Sequence, residues 1–152
     1  MSMQNQIERI FARLNASLYR VSGGKLGGRI GQAPILLLNT VGRKSGQRRT
    51  SPLLYRQVGD RYLIAGSHRG SPTHPAWVLN LRANPEAEIE IGKQTIPVVA
   101  TELSAAERDA AWPQLDAIYP SYADYRTKTD RTIPLFALIP RTNSAATPPS
   151  QG

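Results

Sequence analysis

The 152-residue chain contains no cysteine, which excludes a disulfide framework and any thiolate nucleophile or ligand. It has no apolar run near the roughly 20 residues that a membrane-spanning helix needs. Its two histidines, His68 and His74, lack metal-ligand spacing and acidic companions, so no metal site is expected. No secretory pattern opens the chain, where Ile7 to Arg20 is charged and periodic, and the cytoplasm is the expected compartment. Alternating βαβ units are missing. The five glycines between Gly23 and Gly31 follow a helical pattern and precede a strand, the reverse of a dinucleotide fingerprint. Acidic residues are scarce in the first half. Residues 1–82 hold 13 Lys and Arg against Glu8 and Asp60, whereas residues 83–152 hold six against nine acids. The net charge of +8 is therefore polarised, as expected of one electropositive face. Nucleic acid, an anionic membrane surface and a polyanionic small molecule all fit such a face.

The patterns that are present divide the chain. Residues 1–21 place Ile7, Ile10, Phe11, Leu14 and Leu18 at helical spacing among Arg9, Arg13 and Arg20, an amphipathic helix. It can pack on its own domain or rest at the inner face of an anionic membrane. Residues 22–34 read as a glycine-rich linker, 35–141 as one domain and 142–152 as a disordered tail. Strands are expected at Ile35–Leu38, Thr50–Val58 and Arg61–Ala65, joined as a meander through Gly59–Asp60. Glu86–Ile91 and Gln94–Thr101 form a hairpin about Gly92–Lys93, with glycine first as a type II′ turn prefers. Pro97 calls for an edge or a bulge. Ile133–Ile139 is the last strand. Helices are expected at Pro75–Arg82, after the capping box Ser104–Glu107 with a kink at Pro113, and after Ser121 as a cap. The sum is an α+β chain with about six mostly antiparallel strands. Closure into a split β-barrel with peripheral helices removes the sheet edges.

Three groups carry candidate chemistry. Arg43-Lys44-Ser45-Gly46-Gln47-Arg48-Arg49 sets four cations around a glycine directly after a buried strand. Backbone N–H groups of such a turn can converge on an anion while arginines fork onto phosphate or carboxylate. The same charges would equally suit a solvated hairpin tip. Tyr119, Tyr122 and Tyr125 recur every three residues and offer flat walls with hydroxyls, either a core stripe or a pocket. Ser67 and His68 are adjacent, and neighbours on a strand point apart, so they make a poor nucleophile–base pair. Tyr19, Tyr55, Tyr62 and Trp77 could stack bases, but the cations cluster at one turn rather than along a groove, which argues against nucleic acid.

The stretch from Leu36 to Gln47, LLLNTVGRKSGQ, resembles the signature of the deazaflavin-dependent nitroreductase family, quinone and nitro-compound reductases that use coenzyme F420. Asn80-Leu81-Arg82-Ala83-Asn84-Pro85, Tyr119-Pro120-Ser121-Tyr122-Ala123-Asp124-Tyr125 and Thr129-Asp130-Arg131-Thr132-Ile133-Pro134 agree with it in order and spacing. The resemblance implies a split barrel of the FMN-binding type and a reduced 8-hydroxy-5-deazaflavin with a polyanionic tail of phosphodiester and glutamates. FMN is the alternative cofactor, and a carrier without turnover the alternative function. By resemblance, Arg43, Lys44 and Ser45 hold the tail, and Arg49, Thr50, Ser51, Pro52, Leu53 and Leu54 continue that wall. Ala65, Gly66, Ser67 and His68 line the ring, while Ala76, Trp77, Val78, Leu79 and Asn80 close the other side. Tyr122 sits over the ring, Tyr119 and Tyr125 shape the pocket of a quinone-like acceptor, and Ser67 or a tyrosine bonds the developing oxyanion. Two positions depart from the family pattern: His68 stands where a lysine often follows the serine, and Leu54 where an aromatic is common. The first shifts cofactor affinity onto Arg43, Lys44 and Arg69. The sequence leaves the physiological acceptor and the oligomeric state open.

Overall fold

The computed structural model describes residues 16–17, 19–23, 29–30 and 33–141. The tail expected at 142–152 and the apolar positions Ile7, Ile10, Phe11, Leu14 and Leu18 lie outside these. Helix α1 is described at residues 16–17 and 19–22. Eight strands follow, β1 (Arg29–Ile30), β2 (Ala33–Val41), β3 (Arg48–Leu54), β4 (Arg56–Val58), β5 (Arg61–Ala65), β6 (Glu86–Ile91), β7 (Gln94–Glu102) and β8 (Leu135–Pro140). Helix α2 (Ala76–Ala83) lies between β5 and β6, and α3 (Ala105–Ile118) and α4 (Ser121–Lys128) lie between β7 and β8. Within the segment read as a linker, Arg29 and Ile30 pair with Pro34 and Ala33, so part of it is strand.

Every strand pairing is antiparallel. The hydrogen-bonded order is β3-β2-β6-β7-β8-β5-β4, with β1 at the outer end of β2. The two ends of this path, β3 and β4, are consecutive in sequence. They are halves of one extended stretch that changes partner at Tyr55, whose N–H still donates to Pro34 O at 3.1 Å. The chain itself therefore closes the sheet into a split β-barrel, and the expected single strand Thr50–Val58 is broken at this corner. Gly59 and Gly92 take φ of 64° and 61°, the left-handed values that two-residue hairpins need first, and both hairpins form. Pro97 pairs with Glu88 in β6 and lies just beyond the β8 register that begins at Val98, so its missing N–H falls at the end of that ladder, where its carbonyl still accepts from Arg141 N at 2.9 Å.

Burial explains the strand composition. Leu36, Leu38, Ile64, Ile89, Val98, Phe136 and Leu138 fill the barrel together with Trp77, Val78 and Leu81 of α2. The outer face of β5 and β8 is covered by α3 and α4, where Leu63, Leu135 and Ala137 meet Trp112, Leu115 and Tyr122. Strands covered on both faces read as unbroken apolar runs, whereas β6, solvated on one face, alternates Ala87 and Ile89 with its glutamates. The capping box of α3 forms, with Glu107 N donating to Ser104 Oγ at 3.2 Å and Ser104 N to Glu107 Oε1 at 2.9 Å. Pro113 lies on the exposed side of α3 and the helix continues to Ile118. Ser121 does not cap α4. Pro120 is the N-cap, and backbone carbonyls of Tyr119 and Pro120 satisfy the first N–H groups.

The described turn of α1 packs on its own domain. Ala16 and Tyr19 cover Ile35 and Leu37, and the Tyr19 hydroxyl accepts from Gly92 N and donates to Glu90 O. Beside it, Arg20 forks onto Glu90 with contacts of 2.8–3.2 Å, and Asn39 Nδ2 donates to the same carboxylate at 2.8 Å. Arg20 and Asn39, with Arg48 nearby, hold the Glu90 carboxyl below the usual carboxylate range. A depressed carboxyl contributes stability above its unfolded-state pKa and loses it as pH falls through the folded value. Glu90→Gln should therefore lower stability at neutral pH by about 1–2 kcal/mol and flatten its dependence on pH below the ordinary glutamate range. Chemical denaturation from neutral pH down through that range checks both.

Candidate active site

A cleft of about 530 Å³ opens beside the strand-exchange corner. Its floor is Ile35 and the end of β3, Pro52, Leu53 and Leu54. Ala65, Ser67, His68 and Arg69 form one wall after β5. Pro75 and Trp77 form a second, and Tyr119, Tyr122 and Tyr125 a third. The tyrosines do not share one helix, since Tyr119 caps α3 while Tyr122 and Tyr125 belong to α4. Their rings meet edge to face, Tyr119 and Tyr122 at 5.1 Å and Tyr122 and Tyr125 at 6.3 Å. Tyr122 also meets Trp112 at 5.8 Å, which fixes it from behind. Tyr55 turns away from the cleft and packs against Tyr62 and the barrel interior, so the aromatic beside Leu54 does not replace it.

Two hydroxyls stand out in this cleft. Ser67 is 8% exposed and Tyr122 4% exposed, and neither hydroxyl has a hydrogen-bond partner among the described residues. Buried polar groups are nearly always satisfied, so two orphans facing one cavity point to a ligand that satisfies them. The Tyr119 and Tyr125 hydroxyls bond each other at 3.0 Å. One hydrogen makes that bond, which leaves the pair one further O–H to donate. Burial first, then the neighbouring phenols, raises Tyr122 far above the ordinary phenol value, and burial with the bond to Tyr119 pushes Tyr125 up to about 12. Both are neutral donors at physiological pH.

The basic turn lies at the far end of β3, five residues or about 17 Å from Leu54. Gly42 N donates to Gln47 O at 2.7 Å and Gly46 N to Gly42 O at 2.8 Å, closing the turn with Gly46 at φ 71°. Ser45 Oγ accepts from Gln47 N at 3.1 Å and from Arg49 at 3.5 Å, so this hydroxyl shapes the turn from inside. Arg48 pairs with Glu88 and Glu90. Arg43, Lys44 and Arg49 are exposed and have no acidic partner among the described residues. Three cations left unneutralised beside one another suit a ligand of several negative charges.

The remaining sequence candidates lie around these two features. Asn80 is buried, and its amide joins the turn to α2: Oδ1 accepts from Arg43 N at 3.1 Å and Nδ2 donates to Thr40 Oγ1 at 3.2 Å. Thr50 is spent on the α1 side, donating to Asn39 Oδ1 at 2.6 Å, while Ser51 is half-buried between it and the cleft. Gly66 and Val78 pack together behind the wall, where a Cβ on Gly66 would lie 2.7 Å from Val78 Cγ2. Ala76 is exposed at the start of α2 and Leu79 is half-buried. Ile35 and Pro75 line the cleft without a sequence signal, and Arg69 lines it as well. His68 faces the cleft with Nδ1 near Ser71 Oγ at 3.0 Å and Thr73 O at 3.2 Å.

The sequence matches the family described as F420H(2)-dependent quinone reductase over residues 11–140. An F420H(2)-dependent quinone reductase of Mycobacterium tuberculosis (strain H37Rv) is 39% identical over 133 residues, 85% of this chain and 89% of that one. A solved F420-H2 dependent reductase superposes with a TM-score of 0.64 at 40% identity, covering 69% of this chain and 93% of its own. A chain solved as a domain-swapped dimer gives 0.66 at 35% identity, covering 89% and 95%.

Asn80→Ala should cost about 1–3 kcal/mol, because it strands the Arg43 N–H and the Thr40 hydroxyl at once. Thermal denaturation at neutral pH measures this, and a loss of a few tenths would contradict the bridging role.

Proposed function

This chain belongs to the F420H(2)-dependent quinone reductase family, and we propose that it transfers a hydride from reduced coenzyme F420 to a quinone. The observation that carries the reading at the level of residues is the pair of orphaned hydroxyls, Ser67 and Tyr122, in one cleft. The three cations at the basic turn before Leu54's strand, which have no acidic partner among the described residues, support it.

The residues fit the coenzyme's chemistry. Arg43, Lys44 and Arg49 would hold its polyanionic tail, for which the single phosphate of FMN offers fewer charges to neutralise. Pro52, Leu53 and Leu54 would give the ring an apolar floor, and Ala65, Ser67, His68 and Trp77 would border it. When bound, the reduced coenzyme supplies the hydride, two electrons with one hydrogen nucleus, and is itself oxidised.

The protein's own part is alignment and charge. Tyr122, kept protonated by its burial, donates a hydrogen bond to the quinone oxygen as negative charge grows on it, and Ser67 offers a second donor. The Tyr119–Tyr125 pair has one spare O–H and is partly exposed. It can pass on the proton that completes the quinol and recover it from water. The apolar floor keeps bulk water from competing for these donors. Asn80 and Ser45 act at one remove, keeping the basic turn in shape.

Two measurements test this. Tyr122→Phe should lower turnover by on the order of 10²-fold while coenzyme affinity changes little; unchanged turnover removes Tyr122 from its role. Arg43→Ala with Lys44→Ala should weaken coenzyme binding at least about tenfold, and less when the glutamate tail is trimmed. A loss independent of tail length would place the tail elsewhere.

A further inference from the structure

The segment between Gly66 and His74 contains the least favourable backbone of the described chain. His68 and Arg69 have φ of 46° and 54°, and Gly70 follows at 78°. Two consecutive side-chain-bearing residues in the left-handed region are strained. Within the turn, Gly70 N donates to Ser67 O at 2.8 Å and Ser71 N to His68 O at 3.0 Å, and His68 Nδ1, Ser71 Oγ and Thr73 O lie within 3.0–3.2 Å of one another. Gly70 is also wedged against α4, where a Cβ would lie 2.9 Å from Tyr125 O. One group outside the turn bonds the carbonyls on both of its sides.

That group is Arg131, which comes from the stretch between α4 and β8. Its Nε donates to Ser71 O at 2.8 Å, Nη1 to Gly66 O at 3.1 Å and Nη2 to Ser67 O at 2.7 Å. Nη1 also lies 2.8 Å from His74 Nδ1. Arginine can only donate, so this histidine nitrogen must be the unprotonated acceptor. No carboxylate pairs with Arg131 among the described residues. Its charge is met by three carbonyl dipoles and one imidazole lone pair, a planar fork that no other side chain reproduces.

We propose that Arg131 is the positioning residue of this site, clamping the left-handed turn so that the Ser67 hydroxyl and the His68 and Arg69 side chains face the cleft. This rests on the functional reading of the cleft given above, but the clamp itself is a property of the coenzyme-free protein. Arg131 touches no reacting atom. Its effect passes through the carbonyls on both sides of the turn, and it requires His74 to be neutral. Arg131 from the β8 approach, Arg82 from α2 and Glu102 from β7 are the charged groups felt by His74, and burial with the two arginines lowers its pKa. Protonation of His74 sets a cation against the guanidinium and opens the clamp at low pH.

Amide hydrogen exchange at Gly70 and Ser71, measured without coenzyme, tests the clamp directly. Arg131→Ala should lower protection there at least about tenfold while β2 and β8 keep theirs, and millimolar guanidinium ion should restore it. F420 affinity should weaken by a similar factor and recover with the same additive. Unchanged protection at Gly70 and Ser71 overturns the proposal. Should Arg131→Ala fail to fold, His74→Asn decides, because asparagine keeps an acceptor but cannot titrate. The native protein should lose protection at these amides as pH falls below the ordinary histidine range, and His74→Asn should not; equal profiles overturn the proposal. If protection falls as expected but the native protein does not bind F420, the clamp stands and the functional reading fails.

Discussion

The structure turns on one strand with two partners. From Arg48 to Leu54 the chain pairs with β2, and from Arg56 to Val58 it pairs with β5. The hydrogen-bonded ladder cannot continue through Tyr55 to both, so the barrel is closed by covalent chain rather than by a full set of ladder bonds. The gap leaves a cleft instead of a sealed core. Leu53 and Leu54 end the first ladder at the edge of that cleft, and the basic turn begins the same strand at the other end. The spacing between a charged grip and an apolar floor is thus set by the rise of a single strand.

Charge follows the same economy. The sequence is polarised, basic early and acidic late, and part of that asymmetry joins the two halves of the chain. Arg20 with Glu90, Arg48 with Glu88 and Arg82 with Glu102 each join a cation of the first half to an acid of the second. The second and third of these pairs are exposed on both sides and contribute little singly, whereas Glu90 is largely buried and also bonded by Asn39. Once these pairs are formed, Arg43, Lys44 and Arg49 stand together at one turn without an acidic partner among the described residues.

Local patterns were legible in the sequence because local physics decides them. Gly59 and Gly92 marked hairpins since only glycine takes left-handed values freely, and Ser104 with Glu107 marked a helix start. The buried strands were legible from their unbroken apolar runs. Family resemblance then brought together residues that no periodicity links, and the cleft holds Pro52 to Leu54, Ser67, His68, Trp77 and the three tyrosines. What stayed hidden depends on long-range contacts. Nothing near Tyr55 announces a change of partner. His68 and Arg69 carry no sign of positive φ, because the force that holds them there comes from Arg131, more than sixty residues on. Asn80 resembled a ligand contact, and nothing local announced that its amide also ties the basic turn to Thr40.

The account rests on Ser67 and Tyr122 serving a reaction rather than mere retention of a ligand, and a carrier would have the same grip and the same cleft. Purified protein mixed with excess reduced F420 and menadione separates the two. The account predicts continuous oxidation of the coenzyme through many turnovers per protein chain, with menadiol formed in equal amount. Binding of one coenzyme per chain with no oxidation beyond the uncatalysed rate would contradict it.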